Sequence, residues 1–217
     1  MQVAEKDAVI LFYSDLRGEW PEAAAAWFLR ALPYAKRLTV GAQGPDGNKT
    51  LAGVSLARRA LAAVVGHEVA ARDFVFPDGG KPYVPGAPDF SIAHSGPWVG
   101  CAVAASGRVG FDVECQRPGI EQTVRLLVSP EEAPRLDPES ALKRWVATEA
   151  ALKTFGESIR EAPAVEFREG RVSFRGEPLY RSDVDIFTDA AACVMTTQRG
   201  RPLDARRVPL AELFPNV

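Results

Sequence analysis

The amino-acid sequence predicts an α+β fold because helical and strand-like patterns alternate in blocks along the chain. Helical patterns fill most of the first 65 residues, and three strand-like runs follow them. A strong helical pattern then returns, and about four strand-like runs come after it. Blocks of this kind are typical of α+β proteins. A chain of 217 residues can bury one large core or two small ones. The pattern therefore predicts two comparable halves that divide near residues 115–120.

The first half is predicted to contain four strands and two helices. The first helix opens with Pro21, a residue that suits the first turn, and the second ends at Gly66. Ser106-Gly107 predicts a hairpin between the last two strands. The predicted strands cover residues 8–13, 89–95, 98–105 and 108–114, and the predicted helices cover 21–38 and 50–65.

The second half is predicted to contain two helices followed by four strands. The longer helix has Asp137 as its N-cap, Pro138 as its first residue and Gly156 at its end. The tail offers only a short apolar segment at 208–214. The predicted helices cover residues 119–128 and 138–156, and the strand-like runs cover 164–169, 171–176, 180–188 and 191–198.

Composition excludes several classes of protein. The formal net charge of −2 gives no general attraction to nucleic acid or to anionic membranes. No apolar run reaches the roughly 18 residues of a membrane span, and the first residues lack the basic-then-apolar order of a signal peptide. Three cysteines without CxxC spacing suggest neither a disulfide framework nor a zinc site. We therefore expect a cytoplasmic protein, and a monomer.

A pair of acids on one strand is the clearest chemical feature. Side chains alternate along a strand, so Asp112 and Glu114 face one side and Phe111 and Val113 face the other. Two neighbouring carboxylates suit a hard divalent cation such as Mg²⁺. The alternative is a solvated strand end whose acids have no partner.

A third acid lies on the longer helix of the second half. Glu149 falls inside the apolar stripe of that helix, four residues after Trp145. A carboxylate in such a position needs a partner or a metal ion. Lys153 is four residues further on, so a plain helical ion pair is the alternative.

Three segments suggest a site for an anion. The glycine-rich turn at Gly80 exposes backbone N–H groups and presents Lys81, and His94 and Ser95 end an apolar strand. Arg58 and Arg59 lie on a mostly apolar helix, so one of them is expected to reach a phosphate. The alternatives are a structural hydrogen bond for His94 and a solvent-directed side chain for Arg58.

Four motifs in this order resemble the 4′-phosphopantetheinyl transferase superfamily, specifically its Sfp-type branch. The motifs are GKPYVPG at 80–86, FSIAHSG at 90–96, GFDVE at 110–114 and WVATEAALKTFG at 145–156. The resemblance is specific from about residue 49 to residue 156. It implies two similar α/β halves related by a pseudo-two-fold axis, residues 1–116 and 117–217, with the active site in the cleft between them.

The resemblance also implies an activity. A member of this family transfers 4′-phosphopantetheine from coenzyme A to a serine of an apo acyl or peptidyl carrier protein, with Mg²⁺ or Mn²⁺, and releases 3′,5′-ADP. By position, Asp112, Glu114 and Glu149 match the metal ligands, Glu149 and Lys153 the catalytic groups, and Arg58, Gly80, Lys81, His94, Ser95 and Lys153 the residues that hold coenzyme A. Lys36 and Arg37 are looser candidates for its 3′-phosphate.

Three positions depart from the family pattern. Thr148 stands where a lysine usually precedes the glutamate, Phe111 where a branched aliphatic residue is usual, and Ala93 where a serine is frequent. Thr148 removes a positive charge near the acids, so a degenerate homologue that binds coenzyme A or a carrier protein without efficient transfer is the alternative. A metal-dependent pyrophosphate hydrolase is a further alternative without a recognised motif.

The carrier itself is not predicted, whether it serves fatty-acid, polyketide or nonribosomal-peptide synthesis. Carrier proteins are typically acidic around their serine, so a basic or apolar rim is expected. The rim is predicted from position at Arg117, Arg125 and residues 126–128.

Overall fold

The structure is a computed structural model that describes residues 8–33, 36–37, 40, 45–128 and 133–214. It confirms the α+β class, with helices packed on two β-sheets. The strands are β1 (Val9–Asp15), β2 (Asp89–Ser95), β3 (Trp98–Ala104), β4 (Val109–Cys115), β5 (Val165–Arg168), β6 (Arg171–Phe174), β7 (Glu177–Asp183), β8 (Ala190–Thr196) and β9 (Leu203–Arg207). The helices are α1 (Glu22–Ala31), α2 (Pro45–Val65), α3 (Ile120–Arg125), α4 (Pro138–Phe155) and α5 (Leu210–Leu213).

Each sheet contains strands from both ends of the chain. The first sheet has the order β2-β3-β1-β9, in which β1 is antiparallel to β3 and parallel to β9. The second sheet has the order β4-β8-β7-β6-β5 and is antiparallel throughout. Strand β4 thus joins the C-terminal strands, and β9 returns to the N-terminal ones. The division into halves at residues 116 and 117 stays a prediction.

The hairpin predicted at Ser106-Gly107 is wrong, because β3 and β4 belong to different sheets. The chain turns at Gly107, which has a positive φ of 74°, and β4 then pairs with β8 instead of turning back on β3. The tight hairpin lies one turn earlier, where Gly96 and Pro97 connect β2 and β3. Gly96 has a φ of 54°, a conformation that glycine adopts at little cost.

Several boundaries differ from the prediction. Helix α1 ends at Ala31, because Leu32 is extended, while part of the predicted remainder lies outside the described residues. Helix α2 begins at Pro45, and α3 ends at Arg125, short of residue 128. Strand β9 was not predicted, because its sequence LDARR carries little apolar character and its pairing with β1 is a long-range contact.

Helix α4 begins and ends where the sequence predicts. Asp137 caps it, with the Oδ1 atom accepting a hydrogen bond of 2.9 Å from the Ser140 N–H, and Pro138 follows as the first residue. Gly156 ends the helix with a φ of 73°. Fixed ends set the register of α4, and this register determines which face of the helix carries Glu149 and Lys153.

Apolar cores lie on both faces of the first sheet and between α4 and the second sheet. One core packs α1 and α2 on the first sheet, a second fills the space between the sheets, and a third lies under α4. Cys101 and Cys193 are buried free thiols. Across the described ranges, no helix combines the length and the apolar character that crossing a bilayer requires.

Candidate active site

The candidate site lies at a seam where edge strand β2 of the first sheet runs beside edge strand β4 of the second. Hydrogen bonds cross this seam, including one from Ser95 Oγ on β2 to Glu114 Oε2 on β4, at 2.6 Å. Helix α4 covers β4 very closely. A Cβ atom built on Gly110 would lie 1.9 Å from the Ala150 carbonyl oxygen, so only glycine permits this approach. The contact places Glu149 and Lys153 next to the acids of β4.

Asp112 is the most buried acid of the site, with only 4% of its side chain exposed. Its Oδ1 atom accepts a hydrogen bond of 2.6 Å from Lys153 Nζ, while its buried Oδ2 atom has no hydrogen-bond partner. Burial raises the pKa of the Asp112 carboxyl to about 7, although Lys153 opposes this shift. The side chain is therefore poised to accept a second positive charge.

Lys153 is the partner of Asp112 and lies on helix α4. Burial alone would lower the pKa of its ammonium group, but the attraction and hydrogen bond of Asp112 and the charges of Glu149 and Glu114 together raise it. Lys153 therefore stays protonated at neutral pH. The predicted ion pair with Glu149 is instead a hydrogen-bonded pair with Asp112, and Glu149 interacts with Lys153 through its charge.

Glu149 is half-buried on the same face of α4. The pKa of its carboxyl is raised, chiefly by burial and also by the negative charge of Glu114. The positive charges of Lys153 and Arg117 oppose this shift. A carboxylate with a raised pKa is a better proton acceptor than an exposed one. The position therefore suits a general base.

Ser95 hydrogen-bonds to Glu114 and does not line the cavity that adjoins Lys153. Its hydroxyl donates to Glu114 Oε2 and accepts a hydrogen bond of 3.1 Å from the Cys115 N–H. Both partners belong to β4, so Ser95 fixes the end of that strand. This differs from the predicted role of Ser95 in holding coenzyme A.

We expect Ser95→Ala to lower the free energy of unfolding by about 1–2 kcal/mol, because a partly buried carboxylate loses its donor. Loss of this support is also expected to weaken divalent-cation binding about tenfold. Urea denaturation and calorimetric titration with Mn²⁺ measure the two effects. Ser91→Ala is the control, since Ser91 Oγ lies 3.4 Å from the Phe111 carbonyl oxygen, a weaker bond on the same strand. Unchanged cation affinity in Ser95→Ala would contradict the positioning role.

The three acids predicted to bind a metal ion do not form a ready-made ligand cluster. Within the described ranges, no group of three His, Cys, Asp or Glu side chains is close enough to hold an ion. Lys153 and Ser95 already hydrogen-bond to oxygens of Asp112 and Glu114. The residues nevertheless fit Mg²⁺, since the buried Asp112 Oδ2 atom lacks a partner and all the donors are carboxylate oxygens.

A cavity of about 250 Å³ is lined by Lys153 and brings together several of the predicted anion-binding residues. Lys36 contributes its ammonium group, which lies 4.8 Å from the centre of the Phe76 ring. Burial lowers the pKa of Lys36. The lining consists of Lys36, Thr50, Val54, Phe76, Pro77, Gly80, Pro82, Ile92, Ala93, His94 and Lys153. The cavity thus brings three basic side chains together, and one of them, Lys153, is bonded to Asp112 of β4.

Lys81 and Arg58 do not line this cavity. Lys81 Nζ donates to Asp89 Oδ2 at 2.6 Å and to the Val109 carbonyl oxygen at 2.7 Å. Burial lowers the pKa of Lys81, and Asp89 partly restores it. Lys81 therefore ties the start of β2 to the start of β4, and its contact with a phosphate of coenzyme A stays a prediction.

Arg58 lines a separate cavity with Arg59 and Glu68. Its Nε atom donates to the Val69 carbonyl oxygen at 2.7 Å, and its guanidinium carbon lies 5.5 Å from the centre of the Phe28 ring. Arg37 is likewise absent from the cavity that Lys36 lines. A larger cavity of about 610 Å³ next to β7 and β8 contains none of the predicted site residues.

The structure explains where the three unusual residues fit. Thr148 is 5% exposed and donates to the Arg144 carbonyl oxygen at 2.9 Å, so it turns away from the site. The fully buried ring of Phe111 uses space that Gly100 leaves open, because a Cβ atom there would lie 2.6 Å from Phe111 Cε1. Ala93 is buried and lines the cavity.

Sequence reasoning missed the roles of Gly110 and Asp89. The signal for Gly110 was its place at the start of the GFDVE motif, where a glycine interrupts an otherwise apolar strand. Asp89 follows Lys81 by eight residues, and this spacing alone does not predict a contact between the two side chains.

Comparison with known proteins gives one informative similarity. No protein-family model matches the chain. The chain is 40% identical over 89 residues to the protein of Bacillus subtilis named 4′-phosphopantetheinyl transferase. The aligned residues are 40% of this chain and 39% of that protein, so the match spans about two fifths of either. It confirms the resemblance to the 4′-phosphopantetheinyl transferase superfamily without distinguishing the Sfp-type branch.

Proposed function

We propose that this protein is a 4′-phosphopantetheinyl transferase of the Sfp type, which moves 4′-phosphopantetheine from coenzyme A to the serine of an apo carrier protein. The observation that carries the proposal is the seam between β2 and β4. There the buried Asp112, which has an unpartnered oxygen, bonds to the protonated Lys153, and Glu149 with its raised pKa lies on the same helix as Lys153. Lys153 also lines a cavity together with Lys36 and His94.

The charges of the site suit a pyrophosphate substrate. Lys153 and Lys36 line the cavity, and His94 stands at its exposed side. Coenzyme A carries its pyrophosphate between the pantetheine and the adenosine, so basic groups there hold both phosphates. Mg²⁺ bound by Asp112, Glu114 and Glu149 would neutralise negative charge that develops on the transferred group.

The chain's own residues account for the proton and for the orientation of the substrate. Glu149 accepts the proton of the carrier serine as its oxygen bonds to the phosphorus on the pantetheine side. The bond from that phosphorus to the bridging oxygen breaks, and 3′,5′-ADP leaves with the electron pair. Lys153 stabilises the growing negative charge from a fixed position, because Asp112 holds its ammonium group.

A carrier mass-shift assay tests the proposed function. Apo carriers for fatty-acid, polyketide and nonribosomal-peptide synthesis are incubated with the protein, coenzyme A and Mg²⁺. We expect at least one carrier to gain the mass of phosphopantetheine, with 3′,5′-ADP as the second product. If no carrier gains this mass, the proposed function is wrong. Release of phosphopantetheine in the absence of a carrier would indicate a hydrolase instead.

A homologue that binds without transferring is the second candidate. The observation that favours it is Thr148, which brings no charge to the site. Coenzyme A binding without turnover, unchanged in Asp112→Ala, would support it. The ion pair between the buried Asp112 and Lys153 favours the transferase over the binding homologue. Removing a charged carboxylate from water costs free energy, and a protein that only binds its ligand has no need of such a group.

Of the predicted carrier rim, Arg117, Arg125 and Leu126 are exposed, and Leu126 is the exposed apolar residue among them. Leu126 is 85% exposed, whereas Leu127 and Val128 pack against core residues. Arg125 donates to the Leu136 carbonyl oxygen at 3.2 Å. We propose that Leu126 contacts the carrier in a cytoplasmic, monomeric enzyme.

Leu126→Asp is expected to raise the KM for the carrier about tenfold, because an acid at the rim repels an acidic partner and loses apolar contact. The KM for coenzyme A is expected to stay unchanged. Steady-state kinetics with each substrate varied in turn measure both constants. Ile159→Asp, at another exposed apolar residue, is the matched control. An equal effect of both variants would remove Leu126 from the docking surface.

A further inference from the structure

Arg117 lies in the segment between the acidic strand β4 and helix α3. Its guanidinium carbon is 5.6 Å from the centre of the Trp145 ring on α4. A planar guanidinium stacks favourably on an aromatic face, so the ring gives this exposed side chain a defined place. Arg117 therefore links the strand that carries Asp112 and Glu114 to the helix that carries Glu149.

Trp145 lies one helical turn before Glu149. Residues four apart on a helix are neighbours on one face, with Cβ atoms about 6 Å apart. The Arg117 guanidinium, held on the Trp145 ring, consequently stands on the Glu149 side of the site. The guanidinium group carries several N–H donors in one plane, an arrangement that suits phosphate oxygens.

The charges on α4 leave this side of the site without a cation of its own. Lys153 is paired with Asp112 at 2.6 Å. Thr148, next to Glu149, is buried and donates to the Arg144 carbonyl oxygen. Lys153 and Arg117 are the cations whose charges lower the pKa of Glu149, and of these two Arg117 lies outside α4.

We propose that Arg117, positioned by Trp145, binds the phosphate-bearing part of the substrate on the Glu149 side of the site. The proposal rests on the proposed function, since it assigns a contact of the same active site. A guanidinium here attracts an anionic substrate and repels a divalent cation. If Arg117 acts through its charge, its removal weakens the binding of the anionic substrate and strengthens the binding of the divalent cation. If Arg117 only supports the structure, its removal weakens the binding of both.

The test compares Arg117→Gln with Arg117→Lys in the full-length protein. Calorimetry measures the dissociation constants of coenzyme A and of Mn²⁺ separately, without turnover. For Arg117→Gln we expect coenzyme A to bind about five- to tenfold more weakly and Mn²⁺ about two- to fivefold more tightly. Arg117→Lys is expected to restore most of both values, because it keeps the charge.

Arg125→Gln is the matched control, since Arg125 lies on the next helix and its guanidinium bonds to a backbone carbonyl. It is expected to change neither constant. Weaker binding of both ligands in Arg117→Gln would assign a structural role, and a change confined to the KM for the carrier would assign carrier docking; either result overturns the proposal. A wild-type protein that binds coenzyme A without transferring defeats the proposed function but leaves the binding comparison valid.

Discussion

Alanine at position 110 is expected to lower the free energy of unfolding by about 3 kcal/mol and to reduce transfer about 100-fold. The added methyl group would lie 1.9 Å from the Ala150 carbonyl oxygen and 2.6 Å from the Thr154 nitrogen. Both are backbone atoms of α4, and Thr154 Oγ1 also bonds to the Ala150 carbonyl oxygen at 2.9 Å. Helix α4 therefore has to move away from β4, which carries Glu149 and Lys153 away from Asp112.

Urea denaturation measures the stability of Gly110→Ala, and the mass-shift assay measures its rate. Gly66→Ala is the control, because Gly66 has a positive φ of 79° but no atom within 4 Å of the added Cβ. That variant isolates the backbone strain and is expected to cost about 1–2 kcal/mol without lowering the rate per folded molecule. Equal losses of stability in the two variants, or full activity in Gly110→Ala, would contradict the close contact as the cause.

Local patterns predicted the elements that build the site. The two-residue period of a strand placed Asp112 and Glu114 on one face, and the cap residues Asp137 and Gly156 fixed α4 correctly. Both features depend on neighbours in sequence, so they are readable without a fold. The hairpin at Ser106-Gly107 failed because the partner of β4 is β8, about 80 residues away along the chain, where Phe111 pairs with Val194.

The site was predictable where residue type sets the chemistry and unpredictable where tertiary contacts decide the partner. Glycine-rich sequence before Lys81 indicated anion binding, but Asp89 and the Val109 carbonyl oxygen take its ammonium group. Ser95 looked like a phosphate ligand, although the position of β4 brings Glu114 to its hydroxyl. In both cases a polar group that would otherwise lose its solvent finds a partner on the neighbouring strand.

Glu149→Gln is expected to reduce the rate of transfer at least about 100-fold, because glutamine keeps the size of the side chain but cannot accept the serine proton. The raised pKa of Glu149 makes its carboxylate a stronger base than an exposed glutamate. The variant also removes one of the three carboxylates proposed for Mg²⁺, so a higher Mg²⁺ concentration is expected for half-maximal rate, while the rate at saturating Mg²⁺ stays low because the base is lost. Initial rates of carrier modification across a Mg²⁺ series measure both effects.

Glu139→Gln provides the matched control on the same helix. Glu139 is exposed and its Oε1 atom lies 2.6 Å from Lys143 Nζ, so its replacement removes a surface ion pair and leaves the site intact. We expect its rate to stay within about twofold of the wild type, because such pairs contribute little. Thermal unfolding shows whether each variant is folded. A folded Glu149→Gln with a near-normal rate and Mg²⁺ response would exclude Glu149 both as base and as ligand, and would leave Asp112 and Glu114 as the remaining acids of the proposed site.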